Sequence, residues 1–252
     1  TNSTFACSLD GGTAQPCSSP TSYSGLALGT HQFSVAATDA SGNTDTTPAI
    51  VSWSVVDQLP PLFADDFSSG SFTAGGWVVK TAGTGTATVE DGAVTSSNLG
   101  ARLVSPKGDS TAFAYIRKTF TAQTSLDLTW STKVTVQSGS TQQVGILRFY
   151  DSAGTRVLKL SRESGSNALI LNVAGSDFTT TGTLPLNTVR AMRVHVAPTT
   201  GGWSVRVDVN NSIVYDAVVN SMGNGSLNRI EIGDNSTSRV IDYRVDDVAV
   251  RS

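Results

Sequence analysis

Hydrophobic and polar residues alternate one for one along much of this chain. In Leu126-Asp127-Leu128-Thr129-Trp130 every second residue is apolar, and Trp203-Ser204-Val205-Arg206-Val207-Asp208-Val209 repeats the pattern. A period of two marks a strand with one buried and one wet face. On this basis strands are predicted at 77–80, 112–120, 126–136, 142–150, 157–162, 168–173, 189–196, 203–209, 213–217, 229–232 and 240–250. Nearer the start they are predicted at 4–9, 21–26, 31–38 and 49–56, with turns at Asp10-Gly11, Leu28-Gly29 and Ser41-Gly42-Asn43. No stretch holds a helical period for three turns. The expected class is all-β.

A break interrupts the pattern at Asp57-Gln58-Leu59-Pro60-Pro61. Adjacent prolines cannot sit in a central strand and hold the chain extended. This predicts a first unit at 1–57, a Pro-containing linker at 58–62 and a second unit at 63–252. The opening residues, TNSTFACSLDGG, are polar and strand-like, as in a mature chain rather than a signal peptide.

Composition agrees. Ser and Thr make up about a quarter of the 252 residues, and Glu occurs only at Glu90, Glu163 and Glu231. Strand and turn formers dominate, while helix formers are scarce. A net charge of -3 without a Lys/Arg cluster argues against nucleic acid as a partner. No apolar run is long enough to span a bilayer. The only cysteines, Cys7 and Cys17, flank a Gly-rich reversal. They are expected to form a disulfide, which places the chain in an oxidising, extracellular setting. The alternative is a pair of free buried thiols.

Two resemblances follow. FACSLDGG, PCSSPTSYSGLALGTHQFSVAATDASGNTD and TPAIVSWSV resemble the C-terminal two thirds of a bacterial immunoglobulin-like repeat of surface and secreted proteins. That resemblance implies an incomplete immunoglobulin-like sandwich lacking its opening strands, to be completed either by residues before Thr1 or by a strand from another chain, which would be a route to self-association. Phe63-Ala64-Asp65-Asp66-Phe67, Gly75-Gly76-Trp77 and Tyr243-Arg244-Val245-Asp246-Asp247-Val248-Ala249-Val250 resemble the first and last strands of concanavalin A-like, laminin-G-like jelly rolls of secreted bacterial proteins. The second unit is therefore expected to be an antiparallel jelly-roll sandwich. Its first and last strands pair in that family, which would bring Asp65 and Asp66 beside Asp246 and Asp247. With Asp91 these form a candidate structural calcium site, since calcium takes six to eight oxygen ligands; the competing reading is solvent-facing turn and bulge residues. The Asp246-Asp247 doublet also breaks the alternation, as a β-bulge would.

For glycan binding the candidates are Phe113, Tyr115, Arg117, Arg148 and Tyr150, which would line a concave sheet. The simpler reading puts Phe113 and Tyr115 in the core and Ala114 outside. Trp77, Trp130 and Trp203 are assigned to the core, and His195 to the surface. Neither the paired glutamates of a glycosidase strand nor G-x-S-x-G is present, so the chain is not expected to be an enzyme. The leading expectation is a secreted or cell-surface module for adhesion or carbohydrate binding, with a glycan or another surface protein as partner. The alternatives are a fibre subunit assembled by strand complementation and an accessory domain of a secreted hydrolase.

Overall fold

The computed structural model describes residues 3–27, 29–55, 61–95, 98–138 and 142–252. The chain divides into two compact units, Thr1–Leu59 and Pro60–Ser252. Most of the expected linker lies outside the described residues. Its end does not, and it belongs to the second unit: the Leu62 amide donates to the Val250 carbonyl at 2.7 Å.

The first unit holds β1 (Thr4–Leu9), β2 (Gln15–Cys17), β3 (Gly29–Thr38) and β4 (Ala49–Val55). They form one antiparallel sheet in the order β2-β1-β3-β4. Among the described residues this unit forms one sheet and no second one. The strand expected at 21–26 is also absent. The place beside β1 is taken by β2, which pairs Phe5 with Cys17 and Cys7 with Gln15 and is clamped there by the Cys7–Cys17 disulfide. A loop closed over ten residues restricts the unfolded chain by about 2 to 3 kcal/mol in the chain-entropy picture.

His31 ties this sheet to its first turn. The ring Nδ1 lies 2.7 Å from Asp10 Oδ2 and Nε2 lies 2.8 Å from the Ala27 carbonyl. Both partners are acceptors, so both contacts are hydrogen bonds only when the ring is doubly protonated. Accordingly its pKa is raised, first by the Ala27 carbonyl and then by Asp10. The Asp10 carboxyl is lowered by His31 and by the Gln32 amide.

The second unit begins with β5 (Phe63–Asp65), β6 (Val78–Ala82), β7 (Thr86–Asp91), β8 (Leu99–Ser105), β9 (Phe113–Gln123), β10 (Leu126–Ser138) and β11 (Gln143–Asp151). It continues with β12 (Arg156–Glu163), β13 (Ala168–Val173), β14 (Ser176–Thr183), β15 (Arg190–Thr199), β16 (Gly202–Val209), β17 (Ser212–Val219), β18 (Leu227–Asp234) and β19 (Val240–Arg251). One sheet runs β17-β16-β15-β10-β19-β8-β7, with β5 also on β19; the other runs β14-β13-β12-β11-β18-β9-β6. The unit is an all-β, antiparallel jelly-roll sandwich.

Period-two patterning decides what faces inward. Leu128, Trp130 and Val134 of β10 and Tyr243, Val245, Val248 and Val250 of β19 share one core with Ile116, Phe149, Ile230 and Ile232 of the other sheet. Trp77 and Trp130 are buried, and Trp203 is half-buried against this core. Buried indoles need a partner for their N–H. Trp130 donates to the Tyr243 hydroxyl at 3.0 Å, and Trp77 donates to Asp65 at 2.7 Å. The bulge expected at Asp246-Asp247 is present: the β10–β19 register shifts between Thr129 and Ser131, and Asp247 adopts φ 52°. It marks a hand-over along one edge of β19, where β8 pairs with 241–245 and β5 with 248–250.

The His31 contacts have a pH signature. Their stabilisation is present below the ordinary histidine value of 6.5 and is lost as pH rises through the raised folded value. Hydrogen exchange of β3 amides, compared between wild type and His31→Gln, is expected to show extra wild-type protection near pH 5.5 that disappears near pH 8.5. An identical pH response in both proteins would contradict this role.

Candidate functional site

The seven-stranded sheet settles the phase of β9. Ala114 and Ile116 are buried in the core, so Phe113, Tyr115 and Arg117 lie on the outer face. The simpler reading pointed both aromatics at the core; they lie on the other face, where Phe113 is half-buried and Tyr115 is buried at 8% exposure. Large side chains need not be the core-facing ones when small ones fit the space between sheets, and here Ala112 and Ala114 fill it.

Cross-strand register assembles the remaining side chains. One row crosses the sheet as Val78, Arg117, Glu231, Arg148, Lys159, Asn172 and Asp177, each directly paired with the next. A flanking row runs Lys80, Tyr115 and Gly233, and another runs Thr119, Arg229, Tyr150 and Arg156. All five expected glycan-site residues therefore share this face. Glu231, Arg229 and Lys159 share this face and Asp234 meets Arg148; none was among the expected glycan-site residues. Their signal was the alternation of Arg229 and Glu231 with the core residues Ile230 and Ile232.

Glu231 is the hub. Its carboxylate, 1% exposed, accepts from Arg117 Nε at 2.9 Å and from the Tyr150 hydroxyl at 3.0 Å. Arg229 lies over the Tyr150 ring, 3.9 Å from its centroid, and Arg117 also donates to the Tyr115 hydroxyl at 3.2 Å. Burial, then Glu231, pushes the Tyr150 pKa above its ordinary value, so it remains a neutral donor. Beside this cluster the buried Arg148 donates to the Gly233 carbonyl at 2.7 Å and to Asp234 at 3.1 Å. Arg117 and Tyr150 are only partly buried. The result is a fixed set of donors, acceptors and aromatic rings, buried at Glu231, Arg148 and Tyr115 and partly exposed at Phe113, Arg117 and Tyr150.

The aspartate doublets meet where β5 pairs with β19. Among the described residues no three His, Cys, Asp or Glu side chains are grouped to hold a metal ion. Asp65 is engaged by the Phe67 amide and the Trp77 indole, and Asp66 by the Ser68 amide. Asp91 is exposed at the end of β7. Asp247 accepts from the Ser131 hydroxyl at 3.3 Å. Asp246 is the strained member: it is buried, one of its oxygens has no partner, and its pKa is pushed up to about 6 by burial, with Asp247, Asp66 and Asp65 adding to the rise. His195 is half-buried, 3.8 Å from Asp127.

No protein-family model matches the chain, and no curated protein matches it in sequence. Solved structures share its fold. A sialidase superposes with a TM-score of 0.59 at 11% identity over 88% of this chain, which spans about a fifth (21%) of that protein. A carbohydrate esterase from Shiga toxin-encoding bacteriophage phi24B matches with a TM-score of 0.58 and 14% identity, covering 76% of this chain and 98% of its own. The carbohydrate recognition domain of Emp47p matches with a TM-score of 0.53 and 12% identity, covering 79% and 98%. Identities this low establish the jelly-roll fold alone. They also overturn the expectation that the chain is not an enzyme, because the same sandwich occurs in a protein described as an esterase.

Ionised Asp246 costs stability that protonation recovers, so this group stabilises the fold as pH falls through about 6. Asp246→Asn is expected to raise stability at pH 7.5 by about 1 kcal/mol, after discounting for solvent screening. The gain should shrink towards pH 5. A lower melting temperature for the variant at pH 7.5, together with a fall on adding chelator to the wild type, would show that a cation occupies the doublets.

Proposed function

We propose that this chain recognises carbohydrate on the outer face of its seven-stranded sheet, around Phe113, Tyr115, Arg117, Tyr150 and Glu231. The observation that carries the reading is the Arg117–Glu231–Tyr150 network. Sugar recognition requires polar groups fixed in position to meet hydroxyls and apolar ring surface to meet C–H faces. Here a carboxylate, a guanidinium and a phenol are held by one another beside the Phe113–Tyr115 ring pair, whose centroids are 5.8 Å apart. Pre-organisation of this kind lowers the ordering cost of binding. The fold shared with the Emp47p carbohydrate recognition domain supports the same reading. The Cys7–Cys17 disulfide supports a place outside the reducing cytoplasm, in a secreted or surface-displayed protein. Adhesion to glycans is the role that fits this setting.

A glycan array probed with the full chain is expected to give signal for one sugar class. Tyr150→Ala, which removes the phenol from Glu231, and Tyr115→Ala should each reduce it at least about tenfold, the loss of roughly 1.4 kcal/mol or more. An unchanged β-sheet circular dichroism spectrum would show that these variants fold. A folded wild-type protein that binds no glycan, or variants that bind as well as wild type, would refute the assignment.

A further inference from the structure

One side chain of this face has no use in the network above. Lys159, half-buried in the central row of β12, makes no hydrogen bond or ion pair among the described residues. Its register neighbour across β11 is another cation, Arg148. Like charges placed directly opposite on a sheet repel. Both side chains run over Gly145, where a Cβ would clash with the Arg148 guanidinium and stand 3.1 Å from Lys159 Cε. The absence of a side chain at 145 therefore leaves room for two adjacent cations.

The surroundings deepen the imbalance. Arg148, Arg156 and Arg239 all act against the Lys159 charge, while Asp234 is the acid that favours it. Asp234 is already engaged by Arg148, and its second oxygen is buried without a partner. Burial is the largest influence on Lys159 and, with Arg148 next, holds its pKa below the ordinary lysine value. In a protein of net charge -3, Lys159 thus sits among three arginines that oppose its charge and one acid that favours it. An unpaired, partly desolvated ammonium in such a cluster is stabilised by an incoming anion, and a positive cleft raises the local concentration of anionic ligands.

We propose that the sugar bound on this face is acidic, its anionic group pairing with the Lys159 ammonium beside Arg148. The proposal rests on the carbohydrate-binding reading above and specifies its ligand class: a glycan carrying a carboxylate or a sulfate ester. Arg148, fixed by Gly233 and Asp234, positions Lys159 by repulsion and adds to the field. The Tyr150–Glu231–Arg117 group serves the hydroxyls.

Affinity electrophoresis of the full chain through gels containing dextran, polygalacturonate or dextran sulfate separates the cases. The expected result is retardation by an acidic polymer at least tenfold stronger than by dextran, weakening as salt rises. Polygalacturonate and dextran sulfate then distinguish carboxylate from sulfate. Lys159→Gln is expected to abolish the acidic preference, and Lys159→Arg to retain most of it. Because Lys159→Gln removes a repulsion, it should melt no lower than wild type, which shows that lost binding is not lost folding. Equal retardation by dextran, or acidic binding that survives Lys159→Gln, would overturn this proposal and leave glycan recognition standing. Failure to bind any of the three polymers, with a blank glycan array, would overturn both.

Discussion

The need to bury one face of each strand against the opposing sheet governs the second unit. Because side chains alternate, each residue committed to the core sends its neighbours outward. Ala114 and Ile116 in the core place Phe113, Tyr115 and Arg117 outside; Ile230 and Ile232 in the core do the same for Arg229 and Glu231. Cross-strand register then lines these outward residues up, so the binding face follows from the packing of the other side. Where the alternation must be reset, as at Asp246-Asp247, the chain inserts a bulge and passes one edge of β19 from β8 to β5.

Burying charge on such a face is costly unless the partners are exact in number and geometry. Glu231 meets this with Arg117 and Tyr150, and Arg148 with Asp234 and a backbone carbonyl. On the opposite sheet, similar arginines pair with aspartates in short ladders: Arg102 with Asp242, Arg206 with Asp208 and Arg193 with Asp127. Those pairs are balanced. The seven-stranded face differs because Lys159 makes no direct ion pair and stands opposite Arg148, which already engages Asp234.

Much of the fold was legible because alternation is a local signal. The strands at 4–9 and 168–173 coincide with β1 and β13, and the broken phase at Asp246-Asp247 announced the bulge. The misses have physical causes. Thr21 to Leu26 carries strand-forming residues, but the disulfide commits β2 to the position beside β1. β7 and β14, short and rich in Thr, lack the strong apolar stripe that marks a strand. The choice of which β9 phase faces inward depends on the space between the sheets, which no local pattern contains. That the doublets come together was legible, but not that Asp65 and Asp66 are held by Trp77 and by backbone amides. The expectation of a non-catalytic chain rested on missing motifs, and a fold shared with a carbohydrate esterase removes its force.

The most direct measurement of where this protein meets its ligand is an amide NMR titration of the full chain with whichever glycan the array selects. If the outer face of the seven-stranded sheet is the recognition surface, shift changes will concentrate on β9, β11, β12 and β18, centred on Tyr115, Arg117, Tyr150, Lys159 and Glu231. Changes concentrated on β15 and β16 of the other sheet, or in the first unit, would show that recognition takes place elsewhere.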